Sequence, residues 1–189
     1  MKFFSYYSIT NFSNCYLVGQ EGGRDALLID PGIFDEGLLK LVEDNGFYVR
    51  HVLITHTHHA HINGIRTLLK IYEAAIYCLD PGRLEFPVEK IGEASPLGLP
   101  GFSIEVLETP GHSNDSACFK IERLLFTGDT LSAGSIGNTS SGYERALLLS
   151  SIRSKILTQE DTTFIFPGHG PPTTLEIEKR FNPYLKDRL

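Results

Sequence analysis

A layered α/β protein is predicted by two features of the 189-residue sequence. Short runs rich in aromatic and β-branched residues fill the first thirty positions, and a helix-period segment follows them. The same order of strands and then a helix returns in the second half, which is how sheets covered by helices are written in sequence.

The elements follow in order. FSYYSI (4–9) and NCYLVG (14–19) read as strands, and EGGRD (21–25) supplies a turn before a third, ALLID (26–30). Between Asp35 and Asn45, apolar residues fall at Leu38, Leu39, Leu41 and Val42, and Gly46 follows, so a short helix with a glycine stop is predicted. VRHVLIT (49–55) is a short apolar run, read as a buried strand, and residues 62–73 read as a helix. Pro81, Pro87, Pro96 and Pro100 make 80–101 a loop. FSIEVLE (102–108) alternates as a strand does, and ACFKIE and RLLFTGD continue the sheet. A Ser/Gly/Asn-rich irregular loop is expected at 131–142, and an amphipathic helix at 143–157. TFIFPGHG (163–170) is a strand entering a turn, and LEIEKRF a final short helix. Period and composition alone leave the topology open.

Length, the absence of repeats and the absence of linker-like tracts argue for a single domain over 1–189. With 41% hydrophobic and 21% charged residues the chain resembles an ordinary globular protein rather than a disordered one. A net charge of −6 repels phosphate backbones, so no nucleic-acid partner is expected. Cys15, Cys78 and Cys118 are odd in number and far apart, which reads as reduced, buried thiols. Ser5, Tyr6, Tyr7 and Ser8 interrupt the apolar start, so no secretion signal is read. No run is long enough to span a bilayer, no membrane partner is expected, and the expected location is cytoplasmic.

The chemistry lies in the histidines. His56, His58, His59 and His61 fall within THTHHAH (55–61). His112 stands in TPGHS, Asp129 in FTGDT and His169 in FPGHG. Each follows a predicted strand end or a glycine turn, so all can converge at one sheet edge. Neutral imidazole is the commonest zinc ligand, and carboxylates complete such sites. In an extended segment His56 and His58, two residues apart, point to the same side and can grip one ion. His59 then points away. His51 stands alone and reads as an ordinary strand residue.

The succession H-x-H-x-x-H, T-P-G-H, T-G-D-T and P-G-H-G resembles the metallo-β-lactamase superfamily, and its short glyoxalase II-like (hydroxyacylglutathione hydrolase-like) branch in particular. NCYLV, IDPG (29–32), GSIG (134–137) and PGHGPPTT (167–174) extend the resemblance over nearly the whole chain. It implies a four-layer αβ/βα sandwich. It implies that His56, His58 and His112 hold a first metal and that His61 and His169 hold a second. Asp129 would bridge both ions and hold the nucleophilic water, and Asp30 would orient the histidine loop from behind. The implied activity is hydrolysis of a thioester or related ester by metal-bound hydroxide, with a small thiol ester as the substrate.

The sequence departs from the family pattern. The aspartate of H-x-H-x-D-H is Ala60 here, which removes a ligand of the second metal. The expectation is one tight ion, zinc first and iron or manganese also suited, with a weak or empty second site. Asn114 and Asp115 alter the loop after His112, and Asn138 stands where short relatives often carry arginine. The sequence also ends about twenty residues after His169, short of the helical region with which full glyoxalase II enzymes help bind glutathione. Two other functions stay open. One is a mononuclear iron enzyme resembling persulfide dioxygenases, which use two histidines and one carboxylate, matched here by His56, His112 and Asp129. The other is a degenerate member that binds metal without turnover.

Overall fold

A computed structural model describes residues 1–82, 84–94 and 96–186. These gather into two compact units, Met1–Lys90 and Ile91–Leu189.

The first unit is a six-stranded sheet in sequence order: β1 (Lys2–Ser8), β2 (Ser13–Gly19), β3 (Asp25–Ile29), β4 (Tyr48–Leu53), β5 (Ala75–Cys78) and β6 (Glu89–Lys90). The first three strands run antiparallel, and β4 joins β3 in parallel. A parallel neighbour needs a crossover, and α1 (Glu36–Asp44) supplies it. Asp35 caps α1 by accepting from the Leu38 N–H at 3.0 Å. Burial pushes the Asp35 carboxyl up, but hydrogen bonds from Tyr6 and from nearby backbone N–H groups outweigh it and hold it below its ordinary value. Gly46, at φ 69°, ends the helix as predicted. Leu38 and Val42 of α1 enter a core with Leu17, Leu28, Val52 and Ile54.

The second unit repeats this grammar. Its sheet runs β14 (Thr173–Thr174), β13 (Phe164–Pro167), β10 (Leu124–Gly128), β9 (Ala117–Ile121), β8 (Phe102–Glu108), β7 (Leu97–Leu99). Strands β8 to β10 are antiparallel, and β13 returns parallel to β10. The crossover is α4 (Gly142–Ser151), continued by a π-helical turn at Ile152–Ile156. Leu148, Ile152 and Ile156 enter a core with Leu125 and Ile165. The chain continues to α5 (Leu175–Phe181).

Four segments differ from the sequence reading. The helix expected at 62–73 begins earlier, as α2 (His59–Ile62), breaks, and resumes as α3 (Ile65–Leu68). The break lies at Gly64, whose N–H bonds the Pro31 carbonyl at 2.9 Å. A Cβ there would stand 2.4 Å from the Ile33 carbonyl carbon, so the chain bends where only glycine fits. The loop expected at 80–101 contains β6 and β7, while Arg83 and Ser95 within it lie outside the described residues. The irregular loop expected at 131–142 contains a hairpin, β11 (Leu131–Ser132) with β12 (Ser135–Ile136). The helix expected at 143–157 is α-helical only to Ser151, after which Leu157 N–H reaches the Ile152 carbonyl at 2.9 Å.

Cys15, Cys78 and Cys118 are free and buried, as read from the sequence. Burial, and then the Asp30 carboxylate, push the Cys15 thiol up, so it stays protonated. Among the described residues no helix is long and apolar enough to cross a membrane.

Candidate metal centre

Parallel neighbours end at the same edge of a sheet, and both units use this to gather donors. In the first unit β3 runs into Asp30 and β4 into Thr55 and His56. Asp30 adopts φ 52°, a left-handed turn that aspartate tolerates better than most residues. The turn aims its carboxylate at the end of β4. Oδ1 accepts from the Thr55 N–H at 2.8 Å, and Oδ2 from the Thr55 hydroxyl at 2.7 Å and from His61 Nδ1 at 3.0 Å. Asp30 and His61 are both buried, and Thr55 with them.

These bonds assign the tautomers. A hydroxyl has one proton, and Thr55 gives it to Asp30. Its oxygen therefore accepts from His56 Nδ1, 3.2 Å away. His61 Nδ1 likewise donates to a carboxylate. In both rings Nε2 is left with the lone pair, the form in which imidazole binds a metal. The His56 ring lies 4.6 Å from that of His58 and 4.3 Å from that of His61, centroid to centroid.

His58 is extended, as the sequence reading requires, but α2 begins at His59. His59 is exposed and its Nδ1 is paired with Asn63 Oδ1 at 3.2 Å. The local fold is held by small residues around Ala60. The Ser13 hydroxyl donates to the Ala60 carbonyl at 2.8 Å, and a Cβ on Gly32 would stand 1.6 Å from that same oxygen. Asn11 ties the β1–β2 turn to the Gly32 carbonyl at 2.7 Å.

The second unit has the matching construction. Strand β10 ends in Gly128, at φ 48°, and then Asp129, while β13 ends before Gly168 and His169. The Gly168 N–H bonds the Gly128 carbonyl at 2.7 Å, which locks the two turns together. His169 Nδ1 then donates to Asp129 Oδ1 at 2.7 Å. His112 follows β8 through Gly111, whose φ is 141°. Its Nδ1 donates to the Asn138 carbonyl at 2.8 Å, and its Nε2 stands 3.6 Å from Asp129 Oδ2. So His112 and His169 also present Nε2 as acceptors. Beneath Asp129, Thr109 and Thr130 hydroxyls pair at 3.0 Å, and Thr127 donates to the Leu131 carbonyl at 2.7 Å.

The hairpin β11–β12 lies against this set because of Gly137. A Cβ at 137 would stand 1.9 Å from the Asp129 carbonyl oxygen and 3.1 Å from His112 Cβ. Gly137→Ala is expected to lower stability by about 1–3 kcal/mol through forced displacement, and to weaken metal binding with it. Urea unfolding and metal content of the purified variant check this.

Neutral imidazoles with one carboxylate suit a divalent ion, and each unit carries such a set. His51 belongs to neither; it lies in β4 with its ring 6.0 Å from that of Tyr77, and burial, ahead of its charged neighbours, lowers its pKa. Sequence reasoning gave no role to Thr55, Gly137 or the Asn138 carbonyl, since none of them is a candidate metal ligand by residue type.

The model of the metallo-beta-lactamase superfamily matches residues 9–89 and 79–169. The chain belongs to this superfamily. It is 32% identical over 202 residues to the hydroxyacylglutathione hydrolase GloC of Haemophilus influenzae, an alignment covering 93% of each chain. Among solved structures it is similar to ETHE1 from Myxococcus xanthus, with 28% identity, a TM-score of 0.88, and coverage of 97% of this chain and 84% of that one. It is also similar to TTHA1623 in a di-iron-bound form, with 29% identity, a TM-score of 0.82, and coverage of 96% and 100%. The metallo-β-lactamase fold predicted from the motifs is thereby borne out.

Proposed function

We propose that the protein is a metal-dependent hydrolase of a thioester or related ester. The observation that carries this is the pairing of Nδ1 with an oxygen in four histidines. His56, His61, His112 and His169 each have Nδ1 donating to an oxygen, which prepares Nε2 as a ligand. The likeness to a hydroxyacylglutathione hydrolase over 93% of both chains supports the substrate class.

When bound, a divalent ion supplies an acidified water and an electrophile for the substrate carbonyl. The protein residues do the rest. Asp30 fixes the ring of His61 directly and that of His56 through Thr55. Asp129 accepts from His169 through Oδ1 and would be the carboxylate that helps hold an ion and orient its water. A cleft of about 320 Å³, lined by His112, Asp129, His169 and the hairpin residues Ser135 to Asn138, has room for the reacting end of a small substrate.

Zinc is the ion proposed first, and the family resemblance assigns to it His56, His58 and His112 with Asp129, which would hold it if bound. Ala60 leaves His61 and His169 without a carboxylate of their own. Two ions would share Asp129, so their repulsion is poorly neutralised and the second binds weakly. Elemental analysis of freshly purified protein, beside hydrolysis assays on a panel of thioesters, tests the reading. The expected result is one ion per chain with thioester hydrolysis, and Ala60→Asp raising the content to two with faster turnover. Two ions in the parent would overturn the role given to Ala60. A fully loaded protein that cleaves no ester would overturn the hydrolase reading. The loss of that carboxylate also favours a second reading, a one-iron oxygenase resembling persulfide dioxygenases; iron content with oxygen uptake on glutathione persulfide would establish it.

A further inference from the structure

We infer that Arg145 and Tyr184 form an anion-recognition subsite for the thiol portion of the substrate; this rests on the hydrolase reading above. A second cleft, of about 200 Å³, is lined by Arg145, Tyr184 and the segment Ser135 to Thr139. Ser135, Ile136, Gly137 and Asn138 also line the cleft that holds His112, Asp129 and His169. One strip of backbone is thus the common wall of both, and a ligand can run from one into the other.

The charge in this second cleft is Arg145. Its guanidinium lies 5.5 Å from the centroid of the Tyr184 ring, which holds its plane without neutralising it. Among the described residues no carboxylate forms an ion pair with it. Arg145 is exposed and sits in the first turn of α4, after the Ser141 cap. A cation there opposes the helix dipole, so helix stability does not explain it. Nor does the surface as a whole, since the chain carries a net charge of −6. The adjoining wall residue, Asn138, is neutral, which leaves Arg145 as the cation of this cleft.

A guanidinium fork matches a carboxylate or a phosphate, and the Tyr184 phenol, 40% exposed, can add a hydrogen bond. The ligand class is therefore a thioester whose thiol carries an anionic group several bonds from the sulfur. Glutathione offers carboxylates and coenzyme A offers phosphates.

The test compares three esters of one acyl group on the metal-loaded protein: with glutathione, with coenzyme A, and with the uncharged thiol N-acetylcysteamine. The readout is the ratio of kcat/KM for each anionic ester to that for the neutral one. Arg145→Ala is expected to lower one ratio about tenfold or more, chiefly through KM, with Arg145→Lys recovering part of it. The ester whose ratio falls tells carboxylate from phosphate. Ratios that do not move would overturn the subsite. Should the parent cleave no thioester, the hydrolase reading fails, and calorimetric titration with free glutathione and free coenzyme A decides the subsite alone. Binding by the parent that Arg145→Ala weakens would support it. No binding by the parent, or equal binding by both proteins, would overturn it. Unchanged thermal unfolding of both variants excludes misfolding as the cause.

Discussion

Asp30→Ala is expected to destabilise the protein by about 3–5 kcal/mol and to strip it of tightly held metal. The carboxylate is 2% exposed and accepts from Thr55 N–H, the Thr55 hydroxyl and His61 Nδ1. Alanine leaves all three donors buried and unsatisfied, and it also sits poorly at φ 52°. Asp30→Asn separates the two effects. Asparagine tolerates this backbone and keeps one acceptor, so the expected loss of stability is smaller, about 1–3 kcal/mol. Its NH2 cannot face the Thr55 backbone N–H, so it takes the Oδ2 place and meets the Thr55 hydroxyl and His61 Nδ1 with a donor where an acceptor is required. The tautomer of His56 or His61 then turns over, and Nε2 gains the proton. Metal affinity should fall about 10–100-fold. Urea unfolding gives the first quantity and chelator competition the second. An asparagine variant that binds metal as the parent does would remove Asp30 from the centre.

Glu178→Ala should produce a loss of similar size, about 3–5 kcal/mol, at a place with no ligand at all. Glu178, in α5, is 1% exposed and, among the described residues, forms no ion pair. Its charge is held by the Gly134 N–H at 3.0 Å, the Thr173 hydroxyl at 2.8 Å and the Asn182 amide at 2.8 Å. The Asn182 amide also donates to the Ser135 carbonyl at 3.1 Å. The last helix is thereby fastened to the turn of the β11–β12 hairpin, which leads directly into Gly137 and Asn138. Glu178→Gln replaces one acceptor with a donor and should lose about 1–3 kcal/mol. Thermal and urea unfolding measure both variants. A Glu178→Ala protein within about 1 kcal/mol of the parent would show that the buried network contributes no net stability.

These two carboxylates mark the limit of what the sequence discloses. Asp30 is visible as part of IDPG beside a histidine cluster. Glu178 is one glutamate among others in LEIEKRF, and nothing in its spacing sets it apart. The strands and the helix after Asp35 are legible because apolar period, cap and glycine stop are local properties. The break at Gly64 is not, because it depends on the Pro31–Ile33 backbone arriving there. The hairpin inside the segment 131–142, which by composition reads as an irregular loop, is hidden for the same reason. Its residues have weak strand propensity, and its place depends on Gly137 meeting the Asp129 carbonyl and on Gly134 meeting Glu178.

The sequence by itself determined the family, the order of the strands and helices, and the residue types available to a metal, since motif spacing and hydropathic period are written along the chain. Only the tertiary structure decided which nitrogen of His61, His112 and His169 is turned away to serve as a donor to the protein. That choice is made by an oxygen far away in sequence, 31 residues for Asp30 and His61, 26 for His112 and Asn138, and 40 for His169 and Asp129. A proton on an imidazole follows its nearest acceptor, and adjacent parallel strands ending at one edge bring two of those acceptors, Asp30 and Asp129, within reach.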